Sequence, residues 1–168
     1  MAMKYGWKII PAMEKQPANA QKKMYAEALQ VQKMAAARFG KDSIILYGKS
    51  LGTGIAAYVA SQSNNKRLIL ETPYFSIPAL FSSYAPIYPT SAMSRYKFPV
   101  NEFLAEVNYP VTIFHGTDDG VIPYRNARQL KKVLKPTDEF ITIEKGTHHN
   151  LNGIVLFKQK LDSLLNLR

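Results

Sequence analysis

The sequence predicts an α/β fold, a mostly parallel sheet of about four strands flanked by helices, in the order α-β-α-β-insert-β-α-β-α. Four short apolar runs, Ile44 to Tyr47, Leu68 to Leu70, Val111 to Phe114 and Phe140 to Ile143, alternate with segments of helical period. This is the pattern of a parallel sheet covered on both faces. The first run passes directly into a glycine-bounded turn and then into a helix of small residues. The composition, 46% hydrophobic and 20% charged over 168 residues, lies far from that of disordered chains. A domain near this length buries about 70% of the surface its unfolded chain exposes, enough for a core without staples.

The opening, Met1 to Asn19, is the least regular stretch: Gly6, Pro11 and Pro17 interrupt any period, and Ile9-Ile10 is its strand candidate. From Ala20 to Phe39, apolar Met24, Ala28, Val31, Ala35 and Phe39 recur at helical spacing, and Gly40 supplies the stop. The next helix is Leu51 to Gln62. The segment from Pro73 to Pro110 carries Pro78, Pro86, Pro89 and Pro99 among tyrosines and phenylalanines, which leaves no room for a long helix. It reads as a substrate wall or lid, or equally as aromatics covering the sheet. Tyr124 to Leu134, with Pro123 at its first position, and a last stretch to Leu167 with Ile154, Phe157, Leu161 and Leu164 complete the helices. With no repeat, low-complexity run or linker, residues 1–168 read as a single domain with an insert at 73–110.

A net charge of +10 raises an anionic partner, but the basic residues are scattered in pairs such as Lys22-Lys23, Lys66-Arg67 and Lys131-Lys132, without a base-stacking motif. No nucleic acid is expected. The absence of cysteine excludes disulfides, thiolate metal sites and a cysteine nucleophile, and nothing demands an oxidising compartment. Lys4, Lys8, Glu14, Lys15, Lys22 and Lys23 interrupt the opening, so neither a signal peptide nor a membrane span is expected, and the cytoplasm is the expected location.

The chemistry is concentrated in Gly48-Lys49-Ser50-Leu51-Gly52, a G-x-S-x-G segment between a strand and a helix. A bare G-x-S-x-G turns up about once in twenty chains of this length, so the context carries the signal. Such a turn holds the serine in strained backbone geometry at the tip of the sheet, and glycine is expected at both Gly48 and Gly52 because larger flanking side chains would clash. The new helix points its first amides at the site, so the N–H of Leu51 is the candidate oxyanion donor. A phosphate loop is disfavoured by the absence of G-x-x-x-x-G-K-[ST]. A serine hydroxyl needs a histidine to take its proton and a carboxylate to orient that histidine. Asp118-Asp119 follows the third strand and His148-His149 the fourth, giving the chain order Ser, Asp, His. His115 reads as structural.

These segments resemble the α/β-hydrolase superfamily, and within it the small serine hydrolases of the BEM46-like or alpha/beta hydrolase domain group, from about Tyr25 onward. The resemblance implies that the acid of its H-G-x-x-D-x-V-I-P segment is Asp119 and that the histidine of its G-x-H-N-x-L type segment is His148, with Asp118 and His149 as alternates. Members also begin with strands, and an H-G loop supplying a second oxyanion amide, that have no counterpart here. Tyr5-Gly6-Trp7-Lys8 resembles a segment after their fourth strand, so the chain is expected to be a fragment or a minimal form of a minimal α/β-hydrolase fold. The run Ile44 to Tyr47 then becomes a sheet edge, inviting pairing with the Ile9 region or a second chain in a homo-oligomer. The function implied is hydrolysis of carboxylic esters, short-chain esters first and lactones next, by Ser50, Asp119 and His148 with Leu51 N–H, without metal or organic cofactor. The rivals are a non-catalytic binding domain derived from such an enzyme and a basic nucleic-acid-binding domain.

Overall fold

The computed structural model describes residues 20–87, 94 and 96–165. The Ile9-Ile10 candidate and the Tyr5 to Lys8 segment lie outside the described residues. In chain order the elements are α1 (Ala20–Phe39), β1 (Ile45–Lys49), α2 (Gly52–Ser61), β2 (Arg67–Glu71), α3 (Ile77–Tyr84), α4 (Val100–Glu106), β3 (Val111–Gly116), α5 (Tyr124–Ala127), β4 (Glu139–Ile143) and α6 (Val155–Leu165). The expected order holds, and among the described residues of the 73–110 segment there are two short helices. Ser76 caps α3, its side chain accepting from Ala79 N at 3.2 Å.

All strand pairs are parallel, in the order β1-β2-β3-β4, which leaves β1 as an outer strand of the described sheet. Alternation along the strands divides the core. Leu68, Leu70, Val111 and Ile113 face α1, α2 and α4, whereas Ile69, Phe114 and Ile143 face Leu151 and Phe157 beside and on α6. Helices therefore cover both faces, as an all-parallel sheet requires.

Two local expectations differ from the structure. Val31 and Phe39, taken as part of the apolar stripe of α1, are 66% and 63% exposed. The buried row runs instead through Tyr25, stacked on Tyr58 at 4.0 Å, and Gln32, whose amide donates to Asn65 at 2.9 Å. A satisfied polar residue in the buried row turns that row away from the purely apolar one. The expected helix from Tyr124 to Leu134 is α-helical only to Ala127 and then tightens into a 3-10 turn over Arg128–Lys132, closed by Val133 N to Leu130 O at 3.0 Å.

Candidate active site

The hydrogen-bond ladder of the sheet runs on into the loops at the carboxyl ends of the strands. Ser50 N donates to Glu71 O at 2.9 Å, and Thr72 N to Phe114 O at 2.8 Å. This is where open α/β sheets carry their sites. Ser50 stands just beyond β1 with φ of 50°, in the left-handed region, a strain of about 1–3 kcal/mol that surrounding contacts must hold. They do so from both sides. Thr53 donates twice to the Ser50 carbonyl, from Oγ1 at 2.6 Å and from N at 3.0 Å, and the buried Tyr74 hydroxyl reaches Leu51 O at 3.3 Å.

The two glycines of the turn are not equivalent. A Cβ at Gly48 would stand 2.7 Å from Ala56 Cβ and 2.9 Å from Gly52 O, so the first glycine is sterically required. A Cβ at Gly52 would meet nothing within 4 Å, which corrects the expectation that both positions exclude a side chain. The reason is directional: Gly48 lies under α2, whereas Gly52, the first residue of that helix, faces away from its neighbours.

The loops after β3 and β4 close on one another. Gly116 pairs with Ile143 in register, and a Cβ at Gly116 would fall on the carbonyl group of Gly146. That close approach lets Thr117 N reach Ile143 O at 3.0 Å and Asp118 N reach Gly146 O at 2.9 Å. The result places Asp119 and His148 side by side, both buried, while Asp118 and His149 remain exposed. His148 Nδ1 lies 2.8 Å from Asp119 Oδ2, and His148 Nε2 lies 2.9 Å from Ser50 Oγ. The exposed His149 ring stacks edge-on against His148 at 5.0 Å.

Asp119 Oδ1 accepts from Val121 N at 2.9 Å and Ile122 N at 2.7 Å, so both carboxylate oxygens are satisfied. Burial opposes its ionisation, but the hydrogen bonds from His148, Ile122 N–H and Val121 N–H outweigh it and hold the carboxyl below the ordinary range. The carboxylate is thus the charged form. Its Oδ2 orients the imidazole with the proton on Nδ1, leaving Nε2 free to accept from the serine hydroxyl.

The stretch that follows Asp119 also anchors Phe75 and Tyr84 of the 73–110 segment. Tyr84 Oη donates to the carbonyls of Gly120 at 3.0 Å and Val121 at 2.8 Å, and Asn126 Oδ1 accepts from Phe75 N at 2.9 Å. Beside the serine, the buried Glu71 carboxylate pairs with Lys49 Nζ at 2.6 Å and accepts from the Tyr47 hydroxyl, tying the ends of β1 and β2 together. Burial and the adjacent Glu71 push the Tyr47 phenol upward. Glu71, Tyr74, Tyr84 and Asn126 were not singled out by sequence. They belong to no motif, and their partners lie on other elements.

No protein-family model matches the sequence. The chain is similar to the alpha/beta hydrolase domain-containing protein aho-3 of Caenorhabditis elegans, 26% identical over 88% of this chain and 44% of that protein. It is likewise similar to the lysophosphatidylserine lipase ABHD12 of Rattus norvegicus, 28% identical over 70% of this chain and 34% of that one. Its fold matches the acetyl xylan esterase of Paenibacillus sp. R4 with a TM-score of 0.69 at 14% identity, covering 86% of this chain and 52% of the esterase. The chain is thus similar in sequence to alpha/beta hydrolase domain-containing proteins and similar in fold to an esterase of known structure, and it spans less than half the length of these two sequence relatives. Among the described residues no helix is long and apolar enough to cross a membrane.

Proposed function

We propose that this chain carries the serine centre of a carboxylic ester hydrolase. The observation that carries the reading is the continuous hydrogen-bond chain Ser50 Oγ, His148 and Asp119, with contacts of 2.9 and 2.8 Å assembled from three separate loops. In this reading Ser50 Oγ attacks the acyl carbon while His148 Nε2 takes its proton, and the developing oxyanion is met by Leu51 N–H at the start of α2. His148 then protonates the leaving alcohol, and water enters by the same route to release the acid and restore Ser50. Asp119 stays ionised and steadies the imidazolium. Leu51 and Val121, 51% and 49% exposed beside the nucleophile and the acid, offer the acyl group an apolar rim. Short-chain esters are the first substrate class and lactones the second.

Labelling by a fluorophosphonate probe tests the proposal, because the probe reports an activated serine. Wild type is expected to label, and Ser50→Ala and His148→Ala to lose the signal, with hydrolysis of p-nitrophenyl acetate following the same pattern. A folded wild type that neither labels nor hydrolyses the ester would leave the chain as a binding domain that retains the residues without the chemistry.

A further inference from the structure

One buried imidazole has no part in that reaction. His115 lies in β3, four residues before the acid, and is 0% exposed. Its Nε2 is 2.9 Å from the carbonyl oxygen of Ile122 and 3.7 Å from Asp119 Oδ2. A carbonyl oxygen only accepts, so Nε2 carries the proton. Nδ1, equally buried, has no hydrogen-bond partner among the described residues, so a second proton there would be a buried, unpaired donor. The ring is therefore neutral. Burial acts in the same direction, holding His115 below the ordinary imidazole value against the opposing pull of the Ile122 carbonyl and Asp119. The titratable groups around it are Asp119, His148 and the Tyr124 ring, whose centroid lies 6.1 Å away.

The geometry of the acid turn gives this ring a task. The amides of Val121 and Ile122 grip Asp119 Oδ1, and the carbonyl of the same Ile122 is held by His115. We propose that His115 is a positioning residue for the acid: its Nε2–H clamps the turn from Asp119 to Ile122 so that Oδ2 faces His148 Nδ1. The second Nε2 neighbour, Oδ2 itself, lies beyond hydrogen-bond length but within reach of the N–H dipole, which also favours the carboxylate.

The kinetic part of the test rests on the ester-hydrolase reading, so a second readout is included. His115→Phe keeps a ring without a donor, and His115→Gln restores an N–H near the Nε2 position. The Phe variant is expected to lose about 10- to 100-fold in kcat on p-nitrophenyl acetate with KM little changed, the scale of a misplaced catalytic group. Its kcat–pH profile should change as well, because the carboxylate no longer faces His148 Nδ1. The Gln variant should recover most of both. Independently of turnover, the downfield proton resonance of His148 Nδ1–H should shift or broaden in the Phe variant and return in the Gln variant. If the Phe variant unfolds by circular dichroism, His115→Met takes its place, matched in size to Gln and lacking the donor. A donorless variant with wild-type kcat, pH profile and resonance overturns the proposal, as does a Gln variant no better than it. Failure of the wild type to label overturns the hydrolase reading alone, since the resonance still answers for His115.

Discussion

The two halves of the candidate site are held together in different ways. The serine turn is mostly local: the Ser50 carbonyl is satisfied by Thr53, three residues on, and the turn joins consecutive elements. The acid and the histidine are brought together over 29 residues by two loops that interlock, Lys145 N meeting Thr117 Oγ1 at 2.8 Å and Asp118 N meeting Gly146 O at 2.9 Å. A local turn can be disturbed and repaired locally. Where Gly116 closes on the Gly146 carbonyl, backbone meets backbone, and at that point no side chain can yield.

The largest effect should come from attacking that interlock. In Gly116→Ala the new methyl falls on the Gly146 carbonyl, a backbone group, so the two loops must separate. We expect destabilisation at the upper end of the roughly 1–3 kcal/mol typical of overpacking. Fluorophosphonate labelling should fall by about 100-fold or more, since the loop shift moves Asp119 and His148 apart. Urea denaturation and labelling rate measure both, and an unchanged midpoint would show that the loops tolerate a wider gap.

Gly48→Ala disturbs the local half. Here the first obstacle is a side chain, Ala56 Cβ at 2.7 Å, with Gly52 O at 2.9 Å behind it. A cost of about 1–3 kcal/mol is again expected, but Ala56→Gly should return part of it. A double-mutant cycle between the two positions would then show a favourable coupling of about 0.5 kcal/mol or more. Strict additivity would mean that the turn, not α2, limits what position 48 accepts.

The halves should also differ in their response to acid. His115 and Asp119 both have values lowered in the folded protein, so each binds fewer protons folded than unfolded. Stability then falls as pH falls, first below 6.5 through His115 and later below 3.8 through Asp119. His115→Gln removes the first of these losses, so its urea midpoint should decline less than that of wild type as pH drops through 6.5 toward the lowered value. Parallel curves for the two proteins would mean that protonating His115 costs the fold nothing.

The same contrast explains what could be read from the sequence. The strand runs, the parallel order and the serine turn are written in contiguous residues, and the structure has them with ends shifted by one or two positions. The pairs Asp118-Asp119 and His148-His149 are located by their places after the third and fourth strand runs, but the choice of Asp119 and His148 comes from the family resemblance, because its physical ground, which side chain the interlocked loops turn inward, is not written in the pairs themselves. Tyr84 and Asn126 were invisible because their meaning lies in the Gly120 carbonyl and the Phe75 amide, both distant in the chain. In α1 the buried Gln32 is satisfied by Asn65 in the loop between α2 and β2, a pairing that a stripe counted from apolar residues alone does not register.

The smallest effect is the most informative about the serine turn, because there the motif and the packing disagree. Gly52 begins α2, and a Cβ there meets nothing within 4 Å. Alanine restricts the unfolded chain more than glycine does, so Gly52→Ala should stabilise the protein by about 0.4–1 kcal/mol. If labelling by the fluorophosphonate is kept as well, the second glycine of the motif serves neither fold nor chemistry in this chain. A variant that is stabilised yet fails to label would give Gly52 a different reason: the space above the first turn of α2 is needed by the reacting group itself, beside the Leu51 amide that would receive the oxyanion.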